Sequence, residues 1–211
     1  MGPPNTLPNR AQDAPLTGGT GEMTSATSDR FRVALATSRP REMVILHWLT
    51  VLCVGLAAAL ILTRDEVSGR ALRSWLLEGH RHFGLFVLLL CIARMGVRVR
   101  LGRLPPSADT SPLIRLAAGS THLALYLVLL VMPLLGWALS NALGKPVHFL
   151  GATLPALVGA DEDLADRLLV WHQDAGWLLL ALICLHVAAA LWHHFVLHDG
   201  VLRLMLPRRR G

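Results

Sequence analysis

The stretch that decides the fold is Leu168–His198, LLVWHQDAGWLLLALICLHVAAALWHHFVLH. It is long and apolar enough to cross a bilayer, for which about 20 residues suffice. Two histidines, His172 and His186, sit deep inside it. Their fourteen-residue separation is just short of four helical turns. The two imidazoles therefore project from nearly one face, about 21 Å apart along the axis. That geometry suits two sites stacked through a membrane, one near each surface.

The rest of the chain reads as the setting for those two sites. Of its 211 residues 53% are hydrophobic and only 16% charged, against roughly a quarter charged in soluble domains. Apolar runs recur at about 43–62, 80–99, 116–140 and 168–198. They predict an all-α integral membrane protein, a bundle of four transmembrane helices. The polar segment TRDEVSGRALRSWLLEG reads as a loop between the first two spans. Pro133 lies inside the third span as a tolerated kink. The stretch from Gly144 to Ala160 is interrupted by Pro146, Pro155 and glycines, and is expected along the membrane surface. Residues 1–38 are rich in Pro, Gly, Ser and Thr and have no hydrophobic signal core. They read as a disordered tail ahead of the domain at 39–211.

Four spans put both termini on one side. Fourteen of the 20 Lys and Arg residues fall on that side and six on the other. The excess marks the termini as cytoplasmic. It also explains a pI near 10.5 without nucleic acid. Cys53, Cys91 and Cys184 all lie within apolar runs and read as small packing residues. No covalent haem-attachment motif is present.

Topology assigns depths. His80 and His172 share an outer level. His47 and His186 share an inner one, with His122 as a competitor and His193 one heptad beyond His186. Imidazole pairs from different helices at two levels are what two haem b groups with bis-histidine ligation need. Gly84 and Gly176 each follow a proposed ligand by four residues, on the same helix face, and leave room for a flat macrocycle. Arg94, fourteen residues after His80, falls at inner depth and suits a haem propionate. Small residues at such spacing also serve plain helix packing. Four ionisable groups at matched membrane depths favour function. His122 taken alone suits packing or a quinone contact. His82 reads as interfacial, His193, His194 and His198 at the membrane edge as solvated, and His148 in the outer loop as having no special role.

These residues resemble a family. ILHWL around His47, the H-x-x-x-G-L beginning at His80 with the L-x-x-x-R ending at Arg94, and HLALYLVLLVMPLLGW match the bacterial di-haem cytochrome b561 family, which includes superoxide oxidase. The Trp171–His172 pair, LHVAAALWHHF around His186 and the closing RLMLPRRR complete the pattern. The resemblance implies His47 and His186 as ligands of the cytoplasmic-side haem, and His80 and His172 of the periplasmic-side haem. It leaves His122 outside the ligand set. It further implies electron transfer to ubiquinone and, for superoxide oxidase, electrons taken from superoxide outside. The tail and the additional His82 depart from the pattern.

The leading expectation is thus a superoxide:ubiquinone oxidoreductase carrying electrons across the bilayer. Arg70, Arg73, Arg81 and Lys145 are its candidate entry cluster for superoxide. His122 and His193 are the candidate quinone contacts, able to supply protons near neutral pH. One alternative is a cytochrome b subunit passing electrons between quinone and a partner dehydrogenase or hydrogenase. Another is a haem-free transporter with a histidine proton relay.

Overall fold

The computed structural model describes residues 40–101 and 111–198, together with Gly2, Leu202, Met205 and Leu206. The chain divides into two units, Met1–Ser38 and Arg39–Gly211. Apart from Gly2 the first lies outside the described residues, as does the tail expected there.

Four helices are long and apolar enough to cross a membrane: α1 (Arg41–Glu66), α2 (Arg70–Leu101), α3 (Pro112–Ala142) and α4 (Glu162–Phe195). Local signals set their ends. Ser111 caps α3 by accepting from Ile114 N (3.5 Å), with Pro112 in the first turn. Its missing N–H costs nothing there. Asp161 caps α4 by accepting from Leu164 N at 2.9 Å, and Glu162 and Asp163 follow in the first turn, where the helix dipole favours acids.

The expected polar loop after the first span proves to be three residues, Val67–Gly69. The reversal turns on Gly69, whose φ of +103° suits glycine. The segment RALRSWLLEG is the start of α2, making that helix 32 residues, or about 48 Å. Its charged first turns extend past the apolar run by which the span was recognised. At the other end of the chain, α4 stops at Phe195 rather than continuing to His198.

The interrupted stretch at 144–160, which does not span, is not irregular throughout. The segment contains two short antiparallel strands, β1 (His148–Phe149) and β2 (Ala152–Thr153), pairing His148 with Thr153 and Phe149 with Ala152. Leu150 and Gly151 both have positive φ, as a two-residue type I′ turn requires. Phe149 stacks edge-on against Phe86 of α2 at 5.0 Å, seating the strands against that helix. Buried Asn141 closes the loop, accepting from Leu157 N (2.9 Å) and donating to the Lys145 carbonyl (3.3 Å).

The end carrying the α1–α2 turn and the β-strands is the hairpin end. The end where α1 and α3 begin is the terminal end. There Trp48 Nε1 donates to the Met205 carbonyl at 2.7 Å, tying the segment after α4 to the start of α1.

Helix α1 packs along α2, α2 along α3 and α3 along α4, while α4 approaches α1 and α2 much less closely. The midplane is filled by Val87, Cys91, Leu129 and Leu179, with Cys53, Val54, Tyr126 and Ile183 against them. A second cluster, Ala142, Ala165 and Leu168, joins α3 to α4 at the hairpin end. Most other large apolar side chains point outward, as expected of helices whose solvent is lipid.

Candidate functional sites at two levels

Heptad spacing sets the levels. On α2 the positions His80, Val87 and Arg94 recur every seven residues, and on α4 so do His172, Leu179 and His186. Val87 and Leu179 belong to the midplane layer. Each helix therefore places one functional side chain on either side of it.

At the hairpin end the rings of His80 and His172 face each other with centroids 6.1 Å apart and planes nearly perpendicular, at 87°. Each is fixed by a neighbouring helix. His80 Nδ1 lies 2.9 Å from the Ala57 carbonyl of α1, and His172 Nδ1 lies 3.2 Å from the Met132 carbonyl of α3. A carbonyl only accepts, so Nδ1 donates in both rings. Nε2 is then the unprotonated nitrogen, the form a metal ligand needs. Gly79 lets α1 approach α2, since a Cβ there would stand 3.0 Å from Leu60 Cδ1.

Gly136 was not singled out by the sequence reading. A Cβ there would lie 3.1 Å from His172 Cε1, so this glycine makes the seat for the ring. Met132 and Gly136 lie four residues apart on one face of α3. Met132 supplies the carbonyl and Gly136 the space. Gly84 opens onto free space, whereas Gly176 lies beside Met132, with 3.4 Å from an added Cβ to Cε.

At the terminal end His47 and His186 lie with ring centroids 6.3 Å apart, and His122 is closer still to His186, at 5.2 Å. His122 sits at the exposed edge of α3, with Nδ1 2.6 Å from the Ala118 carbonyl one turn back. His193 lies one heptad beyond His186 and is half-buried. Arg94 rests over the Tyr126 ring, 5.4 Å from its centroid.

The remaining histidines stay outside both levels. His82 Nδ1 lies 2.8 Å from the Glu78 carbonyl, and its ring is tilted against Phe149. His148 Nδ1 and Thr153 Oγ1 are 3.1 Å apart across the strand pair. His198 Nδ1 lies 3.0 Å from the Val196 carbonyl.

A metal between two imidazoles, with bonds of about 2 Å, holds the ring centroids about 6 Å apart. Both α4 pairings, 6.1 and 6.3 Å, match that span. The 5.2 Å between His122 and His186 is too short for it. Among the described residues no three His, Cys, Asp or Glu side chains gather as a bare ion would require. Paired imidazoles suit a metal that brings its own equatorial ligands. Buried donors without an acceptor among the described residues include Arg94 Nε and Trp137 Nε1. Trp137 adjoins Gly136 at the hairpin-end level, so each level has a donor available for a polar substituent. The residues fit a bound haem.

Two of the four entry-cluster residues, Arg73 and Arg81, reach a carboxylate. Arg81 pairs with Glu78 at 3.2 Å, Arg64 with Asp65 at 2.9 Å, and Arg73 reaches the same Asp65 at 3.8 Å. Among the described residues, Arg70 and Lys145 make no salt bridge.

Four membrane helices enclosing two levels of paired histidines define a class, the membrane b-type cytochromes. Residues 39–208 match the model of the family described as prokaryotic cytochrome b561. The chain is 32% identical over 166 residues to a probable superoxide oxidase, CybB, of Yersinia pestis, covering 79% of this chain and 94% of that protein. It is 31% identical over 172 residues to cytochrome b561 homolog 1 of Escherichia coli (strain K12), covering 81% and 97%. To cytochrome b561 homolog 2 of the same organism it is 36% identical over 136 residues, covering 62% and 70%. The chain belongs to the prokaryotic cytochrome b561 family: it is a membrane electron-transfer protein, and the family implies b-type haem.

Proposed function

We propose that this protein is a di-haem b-type cytochrome that oxidises superoxide at the hairpin end and reduces ubiquinone. His80 and His172 hold one haem, and His47 and His186 the other. The observation that carries the reading is the pair of facing imidazoles at each of two levels, at 6.1 and 6.3 Å. At the hairpin end both rings are also locked in the tautomer a ligand requires. Bound between two imidazoles, a b-type haem takes up and returns one electron and has no open coordination position.

The chain's own residues do the rest. The Ala57 and Met132 carbonyls hold the two Nδ1 protons and thereby aim Nε2. Gly84 leaves open space beside His80 for a flat group, and Gly136 seats His172. Gly176, beside Met132, lets α4 close on α3. Arg94 offers its guanidinium to a carboxylate at the terminal end. His122 and His193, at that same end, hold protons for the quinone oxygens. The excess of basic residues on the terminal side supports its assignment to the cytoplasm, with the hairpin end in the periplasm.

Each superoxide ion loses one electron and leaves as dioxygen. Ubiquinone takes two electrons and two protons, so two superoxide ions are consumed for each quinol. The relative described as a probable superoxide oxidase supports this donor. A second reading has its own observation: the hairpin side carries eight acidic residues against six basic ones, with Arg73 and Arg81 held by carboxylates, so no net positive charge steers an anion. A docked redox protein would then deliver the electrons, and the hairpin end would be its platform.

The test is stopped-flow mixing of the isolated protein with superoxide, with and without ubiquinone. Rapid appearance of the reduced b-type bands, with reoxidation only when quinone is present, supports the first reading. A haem that superoxide leaves oxidised, but a co-purifying dehydrogenase reduces, supports the second. No b-type bands at all would end both.

A further inference from the structure

The two helices that share the terminal-end pair pack little against one another. Helix α1 carries His47 and packs along α2, α4 carries His186 and packs along α3, and α1 and α4 approach each other only sparsely. Their two imidazoles nevertheless face across 6.3 Å. A link between these helices runs through the chain beyond α4. His198 adopts a left-handed φ of +54°, which takes the chain off the helical path, and its Nδ1 lies 3.0 Å from the Val196 carbonyl. A non-glycine residue holds that conformation at a cost which surrounding contacts must offset. Further along, the Met205 carbonyl accepts from Trp48 Nε1 at 2.7 Å. The Met205 N–H donates to the Leu202 carbonyl at 3.0 Å, closing a short turn that presents the acceptor. The Trp48 ring in turn meets His47 edge-on at 5.6 Å.

We propose that the segment after α4 is a clasp and Trp48 its positioning residue. Together they hold α1 beside α4 at the terminal end, so that His47 rather than His122 pairs with His186 across a bound haem. The clasp deepens the two-haem reading and rests on it. A tryptophan at a membrane interface ordinarily anchors a helix at the level of the headgroups. The Trp48 N–H instead has a protein acceptor 157 residues away in sequence. The competing partner needs no such link: His122 lies 5.2 Å from His186 on α3, the helix along which α4 packs. Pairing His186 with a histidine of α1 has to be enforced across a sparse contact, and the Trp48–Met205 bond spans it. At the hairpin end the rings of His80 and His172 are held by carbonyls of α1 and α3, and the clasp lies at the opposite end of the molecule.

The test reads haem retention rather than turnover. The purified haem-loaded protein is mixed with excess apomyoglobin as a haem acceptor, and the release of each haem is followed for the wild type, Trp48→Phe and Met205→Pro. Trp48→Phe keeps an aromatic ring beside His47 and removes the N–H. Met205→Pro leaves Trp48 intact and removes the N–H that closes the turn at Leu202. Both variants should release one haem about three- to tenfold faster, the range that one hydrogen bond contributes. That haem should be the one missing from His186→Ala. The other should leave at the wild-type rate.

Two haems released at wild-type rates in both variants would overturn the clasp and leave the two-haem reading intact. A change confined to Trp48→Phe would overturn it as well, since the ring would then act on His47 without the segment after α4. A change confined to Met205→Pro would take the indole N–H out of the account and overturn it equally. Equal acceleration of both haems would mean general loosening and no clasp. Fewer than two haems in the wild type would end the underlying reading and the clasp with it. Should Met205→Pro not accumulate in the membrane, Met205→Gly loosens the same turn and decides by the same rates.

Discussion

At the hairpin end His80 and His172 are each fixed by a carbonyl of a neighbouring helix, whereas at the terminal end three histidines crowd together beside an arginine. The first arrangement leaves each ring one tautomer and one direction. The second offers His186 two partners, His47 at 6.3 Å and His122 at 5.2 Å. Rigidity at one end and choice at the other suit different tasks. A locked pair holds a group that no substrate need touch. A histidine at an exposed edge can exchange protons with what binds beside it.

The largest expected effect breaks the two levels apart. His172→Ala should remove the hairpin-end haem and His186→Ala the terminal-end one, each halving the haem-to-protein ratio measured by the pyridine haemochrome. His122→Ala should leave that ratio unchanged and slow only quinone reduction. If His122→Ala loses a haem and His47→Ala does not, the terminal pairing is wrong.

Next in size is the seat of His172. Gly136→Val should push that ring off its carbonyl and deplete the hairpin-end haem alone, seen as selective loss of one redox component. An unchanged titration would show that the ring does not depend on its seat.

Smaller effects concern the frame. Asn141→Leu removes both hydrogen bonds that close the loop over the hairpin end. It should cost about 1–3 kcal/mol, read as a lower thermal midpoint in detergent with the haem spectrum intact. Loss of the N-cap in Asp161→Ala should cost about 1 kcal/mol by the same measurement. A drop much larger than this would mean that Asp161 does more than cap α4.

How much of this was legible beforehand follows from the kind of signal involved. The four spans and the depths of His47, His80, His172 and His186 could be read because lipid demands long apolar runs and helical spacing fixes height. The start of α2 was missed because its first three turns are charged, and apolarity stops reporting helix once the chain leaves the membrane. The strands at His148–Phe149 and Ala152–Thr153 are two residues each, too short for alternation to appear. Gly136 was missed because its role is contact with a ring on another helix, and no spacing within α3 announces that. Likewise, the ion pairs of Arg64 and Arg73 with Asp65 and of Arg81 with Glu78 required knowing which side chains lie beside one another.

The midplane layer has a consequence for energy conversion. Protons move along chains of hydrogen-bonding groups, and Val87, Leu129 and Leu179 offer none to one another. Electrons need no such chain. In the proposed transfer an electron crosses this layer alone, and the protons that join the quinone enter from the terminal side. Each crossing therefore separates charge and works with or against the membrane potential, at about 2.3 kcal/mol per elementary charge for every 100 mV. In the proposed orientation, with the hairpin end in the periplasm and electrons leaving it for the cytoplasmic end, the energised membrane opposes the transfer, and the same reaction adds to its charge.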